Sequence, residues 1–290
     1  MDHRVLIIGG SGMLGHEVFA KFQNIFNVVS TSFNNKNNSF KFLDITNRNQ
    51  VKNICDYFNP SVVVNCAAFT DVDLCESHKK VARMVNVDGV ENIIKSVKTN
   101  TKIIHISTDY VFNGVDGFYA ENDLTYPLNY YGKTKLESEN ILIGSGRPYV
   151  IFRPSVLYSS NISQNNFFKW VYSSLKNNIN INVVDDQISS PTFIPELVKA
   201  IFTSVIVDYQ GLLHIGSNDV ISRYEFAVLI AKVFNFDEKL ITKIKTSDLN
   251  QDAIRPMNSS LNNSKIKDVL DLKLSNTNYY LNKIKNLHLS

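Results

Sequence analysis

Cysteine is scarce in this chain: Cys55, Cys66 and Cys75 are the three in 290 residues. An odd count leaves one thiol over in any pairing, which excludes a disulfide scaffold and fits a reducing, cytoplasmic compartment. No Cys-x-x-Cys or His-x-x-x-His spacing occurs, so no metal site is expected. Long apolar runs are missing too. The longest, Leu197 to Val207, is broken by Lys199 and falls well short of a membrane span, and the short run Val5–Ile8 lacks the length of a signal-peptide core. Strong charge of one sign is also absent. The net charge is +3 and the cations are scattered, which excludes a nucleic-acid footprint while still suiting a phosphate-bearing small molecule. The expectation is a soluble protein with neither nucleic-acid nor membrane partners.

What is present is an apolar content of 44%, enough for a sizeable core. Short β-branched runs at Val5–Ile8, Val28–Ser32, Val62–Asn65, Lys102–Ser107 and Tyr149–Phe152 alternate with amphipathic stretches. That rhythm predicts parallel β-α-β units and an α/β fold: a Rossmann-type doubly wound parallel sheet with a smaller C-terminal substrate-binding region. We expect residues 1–155 to form the dinucleotide-binding domain, later segments at about 181–222 to interleave with it, and 156–290 to be mainly a cap. Helices are predicted over Gln164–Lys176, Pro195–Val207 and Arg223–Phe234. There is no internal repeat, and the asparagine run 34–38 reads as compositional drift.

Directly after the first strand comes Gly9-Gly10-Ser11-Gly12-Met13-Leu14-Gly15, followed by a helical pattern. Glycines here permit a tight turn and let backbone approach a pyrophosphate at a helix N-terminus. Gly9, Gly12, Met13, Leu14 and Gly15 are therefore candidate cofactor contacts. Sites that prefer NAD place an acid about 20 residues beyond the glycines. No carboxylate stands between Glu17 and Asp44, whereas Ser32, Asn34 and Lys36 could receive a 2′-phosphate, so NADP(H) is the expected cofactor.

Farther on, Ser107-Thr108-Asp109-Tyr110-Val111-Phe112 precedes Tyr131-Gly132-Lys133-Thr134-Lys135. On a helix Tyr131 and Lys135 share a face, and a lysine cation would make a phenol with a pKa near ~10 a better acid. With the glycine turn, Asn65-Cys66-Ala67-Ala68-Phe69-Thr70, Val184-Asp185-Asp186-Gln187, Ser190-Pro191-Thr192 and Arg255-Pro256, the chain resembles the extended short-chain dehydrogenase/reductases, and within them the dTDP-4-dehydrorhamnose reductase group. The resemblance implies that Tyr131 protonates a carbonyl oxygen, that Thr108 orients it, and that Lys135 also grips the nicotinamide ribose. It places Asp44 and Ile45 at adenine and Cys66, Ala67 and Ala68 on the nicotinamide side. Thr70, Asp73, Tyr110, Asn166, Gln187 and Arg255 would contact a nucleotide-diphosphate keto sugar, although Arg255 could equally pair with a carboxylate such as Asp252. Family members are often homodimers through a helical interface.

Two stretches resemble the bifunctional UDP-4-keto-6-deoxyglucose 3,5-epimerase/4-reductases: Val72-Asp73-Leu74-Cys75-Glu76-Ser77-His78-Lys79, and Ser159 through Lys169. A C4 ketone acidifies the protons on its neighbouring ring carbons, and inversion needs removal on one face and return on the other. This resemblance makes Cys75 and Lys169 the epimerase acid/base pair and UDP-L-rhamnose the expected product. By their own chemistry a lone cysteine is a small buried hydrophobe and a lysine after two phenylalanines a snorkelling surface residue. Two rivals stand beside it. One is a monofunctional dTDP-4-dehydrorhamnose reductase in which Cys75 is packing; the other is a non-catalytic regulatory subunit, since the β subunit of methionine adenosyltransferase shares the Tyr-Gly-Lys-Thr-Lys and Arg-Pro segments.

Overall fold

Alternate residues of a strand face opposite sides of its sheet, and in β1 (Arg4–Ile8) both sides are apolar: Val5 and Ile7 enter one core, Leu6 and Ile8 another. A strand apolar on both faces is a central one covered by helices, and that is its place. The computed structural model describes residues 3–34, 40–160 and 166–289. β2 (Asn27–Ser32), β3 (Lys41–Phe42), β4 (Val62–Asn65), β5 (Lys102–Ile106) and β6 (Tyr149–Tyr158) flank β1, and the eight-stranded sheet is completed late in the chain.

Helices α1 (Met13–Phe22), α2 (Arg48–Phe58), α3 (Val72–Ser77), α4 (Lys79–Arg83), α5 (Gly89–Ser96) and α6 (Tyr130–Gly144) fill the connections, with a π-helical turn at Met84–Asp88 between α4 and α5. Then follow α7 (Phe167–Lys176), β7 (Ile181–Val184), β8 (Ile188–Ser189), β9 (Pro191–Phe193), α8 (Ile194–Ile206), β10 (Gly211–Ile215), β11 (Ile221–Ser222), α9 (Arg223–Phe234), β12 (Ile241–Ile244), α10 (Ser264–Leu270) and α11 (Thr277–Leu289). The main sheet runs β10-β6-β5-β4-β1-β2-β3, every pair parallel, with β9 on the far half of β6. The order reverses between β1 and β4. A crevice at such a switch point, beyond the carboxyl ends of the strands, is where open α/β sheets bind ligands.

Three cores follow. α1, α8 and α10 cover one face, α2, α5 and α6 the other, and α7, α9, α11 and β7 build a third cluster of their own. The segment 181–222 accordingly divides: β9, α8 and β10 join the main sheet and its core, whereas β7 pairs with β12 and β8 with β11 outside it.

Two features depart from the pattern read in the chain. β6 continues past Phe152 to Tyr158, through Pro154 and a bulge at Val156, whose φ of 41° lies in the left-handed region that β-branched residues avoid. The extension follows from β9, which pairs with the far end of β6 and is remote in sequence. Residues 264–274 return to the first core through Ile266, Leu270, Leu272 and Leu274, although they follow α9 and β12. No helix among the described residues is long and apolar enough to cross a membrane.

Candidate active site

At the end of β1 the chain must reverse within a few residues and start a helix against the same strand. Gly9, at φ 86°, sends its N–H and that of Gly10 to the carbonyl of Thr31, at 3.0 and 2.8 Å. A Cβ on Gly9 would lie 2.7 Å from the Ala67 nitrogen, and one on Gly15 would lie 2.2 Å from the Gly9 oxygen. Only glycine permits this approach. Gly12 caps α1 with no side chain, which leaves the first-turn N–H groups available to an anion. Gly12, Met13, Leu14 and Gly15 form one wall of a cavity of about 900 Å³; Cys66, Ala67 and Ala68 form its floor.

α6 supplies the opposite wall. Its N-terminus is held twice: Asn129 accepts the Gly132 N–H at 2.8 Å, and Glu76 on α3 accepts the Tyr130 N–H at 2.6 Å. A Cβ on Gly132 would lie 2.2 Å from the Tyr110 carbonyl, so α6 presses directly on the segment after β5. That contact brings Tyr131 beside Thr108 and sets the Tyr110 and Tyr131 rings edge to face at 6.2 Å. Thr108 Oγ1 donates to Asp109 Oδ1 at 3.1 Å and accepts the Tyr110 N–H at 3.2 Å. Asp109, buried, is fixed in turn by the Ser155 and Ser259 hydroxyls at 2.7 and 2.5 Å.

Lys135 lies one turn beyond Tyr131 and is fully buried, its Nζ 3.2 Å from His105 Nε2. Burial lowers it to about 8, opposed by the charge of Glu139. The sign expected for Tyr131 is reversed: burial pushes its phenol above the ordinary tyrosine range, against the opposing effect of the Thr108 side chain. The reason is shared. Both groups are taken out of water, which disfavours phenolate and ammonium alike.

Of the other expected contacts, Thr70, Tyr110, Asn166, Gln187 and Arg255 line the cavity. Several are already engaged. Arg255 is buried and grips Asp73 with both NH groups, at 3.0 and 2.7 Å, so its carboxylate partner is Asp73 and not Asp252. Burial works upward on the Asp73 carboxyl, yet the Arg255 bond holds it below its usual range, and Asp73 is outside the cavity wall. Asn166 caps α7 through the Lys169 N–H at 2.9 Å and donates to Met13 Sδ at 3.3 Å. Gln187 donates to Thr246 at 3.1 Å. Gly9, Ser32, Asn34, Asp44 and Ile45 sit beyond the cavity's edge, along the carboxyl ends of β1, β2 and β3. Ser32 Oγ meets Ser11 Oγ and donates to the Asn34 carbonyl; Asp44 accepts from Thr46; Ile45 is buried in the second core. Lys36 lies outside the described residues.

Neither Cys75 nor Lys169 belongs to the cavity wall. Cys75 is completely buried, its thiol donating to the Phe69 carbonyl at 3.6 Å, and burial with Asp71 and Glu76 pushes it up to about 11. Lys169 is half-buried on α7. Residues not foreseen also line the wall, among them Val156 on the bulge, Phe167 and Trp170 on α7, and Arg223 at the start of α9. Arg223 lies 5.2 Å over the Phe167 ring and acts electrostatically on Asp109 and Tyr110. A signal for it was present. Ser222 and Glu225 form a capping box, and a cation in the first turn beside it opposes the helix dipole, which calls for a compensating anion.

A glycine turn at a sheet switch point, with Thr108, Tyr131 and Lys135 across one cavity, defines the dinucleotide-binding architecture of the short-chain dehydrogenase/reductases. Residues 3–287 match the model of the RmlD substrate binding domain, and the chain belongs to that family. It is 34% identical to the dTDP-4-dehydrorhamnose reductase of Aggregatibacter actinomycetemcomitans, over 97% of this chain and 98% of that one. It is also 30% identical to the methionine adenosyltransferase 2 subunit beta of Bos taurus, over 92% of this chain and 82% of that one. The crystal structure of dTDP-4-dehydrorhamnose reductase from Bacillus anthracis in complex with NADP superposes with a TM-score of 0.91, at 28% identity, covering 99% of this chain and all of that one.

Proposed function

We propose that this protein is an NADPH-dependent reductase of a 4-keto-6-deoxy sugar carried on a nucleotide diphosphate, of the dTDP-4-dehydrorhamnose reductase type. The observation that carries the proposal is the meeting of Thr108, Tyr131 and Lys135 in the cavity that the glycine turn opens onto. The residues present fit a dinucleotide: the α1 N-terminus and Gly12–Gly15 suit a pyrophosphate, and a Cβ at Gly9 or Gly15 would close the cradle. Where an NAD site would carry an acid, Ser11 and Ser32 offer hydroxyls, and Asn34 is exposed beside them. That chemistry favours a 2′-phosphate and supports NADP. The bound dinucleotide supplies the hydride to the carbonyl carbon.

The remaining work belongs to the chain. Tyr131 donates its phenolic proton to the carbonyl oxygen as charge builds there, and Thr108, locked between Asp109 and the Tyr110 N–H, holds the phenol in place. Lys135 favours the phenolate left behind. Arg223 is the guanidinium in the wall whose position suits the substrate diphosphate, because the fork of Arg255 is committed to Asp73. The test is product NMR with NADPH and either the dTDP- or the UDP-linked keto sugar. Tyr131→Phe should abolish reduction and leave dinucleotide binding intact; turnover by the variant refutes the assignment. A protein that turns over neither sugar and co-purifies with a methionine adenosyltransferase is instead a regulatory subunit.

A second reading adds inversion at C3 and C5 by Cys75 and Lys169, with UDP-L-rhamnose as product. One observation favours it: the Cys75 thiol is close enough to act electrostatically on Tyr131. Its burial and its pKa of about 11 argue for packing. Deuterium wash-in at C3 and C5 of the keto sugar in D2O, lost in Cys75→Ser, establishes the wider activity, and absence of exchange in the unaltered protein removes it.

A further inference from the structure

The neighbours of Lys135 determine which way its hydrogen bond runs. Its Nζ faces His105 Nε2 at 3.2 Å, and both side chains are buried. Behind the ring, Asn65 Oδ1 accepts the Ala67 N–H at 3.2 Å; a backbone N–H can only donate, which sets the orientation of the carboxamide. Asn65 Nδ2 therefore faces His105 Nδ1, at 3.3 Å, and an amide nitrogen also only donates. His105 Nδ1 must accept. A neutral ring that accepts at Nδ1 carries its proton on Nε2, and burial together with Lys135 keeps the ring neutral. On the Nε2 side stand Ser138 Oγ, at 3.0 Å with its own proton given to the Lys135 carbonyl, and Lys135 Nζ. The Nε2 N–H is thus shared between the Ser138 oxygen and the lysine nitrogen, and Nε2 keeps no lone pair for an ammonium. An amine has a lone pair to receive it; an ammonium does not.

The other groups facing Lys135 leave this arrangement standing. Glu139, one turn along α6, is taken by Arg153 at 2.9 and 2.6 Å and by Ser107. Cys66, after β4, is a thiol pushed up to about 12 by burial, and the Tyr131 phenol is held neutral. We propose that Asn65 and His105 are positioning residues for Lys135: they turn a donor toward its nitrogen and so couple protonation of Lys135 to dinucleotide binding in the cavity. This rests on the cofactor reading above. Ribose hydroxyls beside Lys135 would offer acceptors that favour the ammonium, so binding takes up a proton from solvent.

Three measurements test it. The imidazole 15N shifts of the free protein should show His105 protonated at Nε2 and bare at Nδ1. The 13Cε signal of Lys135, identified by its loss in Lys135→Met, should titrate near 8. Calorimetry of NADPH binding at about pH 8.5, in buffers of different ionisation heat, should report uptake of ~0.7 of a proton. Asn65→Asp retains an acceptor for Ala67 but offers an oxygen to Nδ1. The ring proton should then move to Nδ1, the Lys135 midpoint should rise and the uptake should vanish; the 15N shifts separate this route from a direct effect of the new charge. A ring bare at Nε2 in the unaltered protein, a Lys135 midpoint in the ordinary lysine range, or equal uptake in both proteins overturns the proposal. If Asn65→Asp does not fold, the two NMR readings decide it alone. If NADPH does not bind, the cofactor reading fails, and those same readings on the free protein still judge the Asn65–His105 arrangement.

Discussion

Replacing Lys135 by methionine should make the protein more stable while removing its turnover. The lysine is about 1% exposed, and burial lowers it from an ordinary 10.5 to about 8. At about 1.36 kcal/mol per unit, the folded protein bears a cost of about 3 kcal/mol for keeping the ammonium in its interior at neutral pH. Methionine fills similar volume with no charge to desolvate, so Lys135→Met should gain up to about 3 kcal/mol at pH 7. The pH dependence identifies the cause. Between about pH 8 and 10.5 the unfolded chain binds the lysine proton and the folded one does not, so the unaltered protein gains stability as pH rises through that window. The variant lacks this group, and the gap between the two should close. Urea unfolding followed by far-UV circular dichroism at pH 7 and pH 10 measures it. A variant no more stable than its parent at pH 7, or one whose advantage persists unchanged at pH 10, refutes the reasoning.

Three further outcomes are expected. Glu139→Ala leaves the Arg153 guanidinium buried and unpaired, and should cost about 3–5 kcal/mol in urea unfolding; the double replacement Glu139→Leu with Arg153→Met should recover most of that loss. Gly15→Ala drives a Cβ to 2.2 Å from the Gly9 carbonyl, so NADPH affinity measured by fluorescence quenching should fall more than about tenfold. His214, lowered to about 3 by burial and by Arg153, stays neutral in the fold, so its contribution is complete above pH 6.5 and is lost as pH falls toward 3; urea midpoints of His214→Asn should fall less steeply with acid than those of the parent.

Much of the scaffold was legible because it is local. Val5–Ile8, Val62–Asn65 and Lys102–Ser107 read as strands since their apolar residues serve two cores at once. The helix from Arg223 to Phe234 was readable from its period. The far half of β6 was not, because its partner β9 lies more than thirty residues along and Pro154 interrupts the run. The fate of 264–274 was equally hidden, since short apolar stretches do not say which of three cores they will enter.

The site divides along the same line. The glycine turn and the i, i+4 spacing of Tyr131 and Lys135 are properties of neighbouring residues, and the sequence by itself determined them. The charges on those groups, the capture of Arg255 by Asp73, the burial of Cys75 and the arrival of Arg223 in the cavity wall were decided only by the tertiary structure. Hydrogen-bond partners and exclusion from water depend on chain segments that meet in space, and Asp73 meets Arg255 across 182 positions of sequence. A residue's type sets what it can donate, accept or ionise; its packed surroundings set which of these it does.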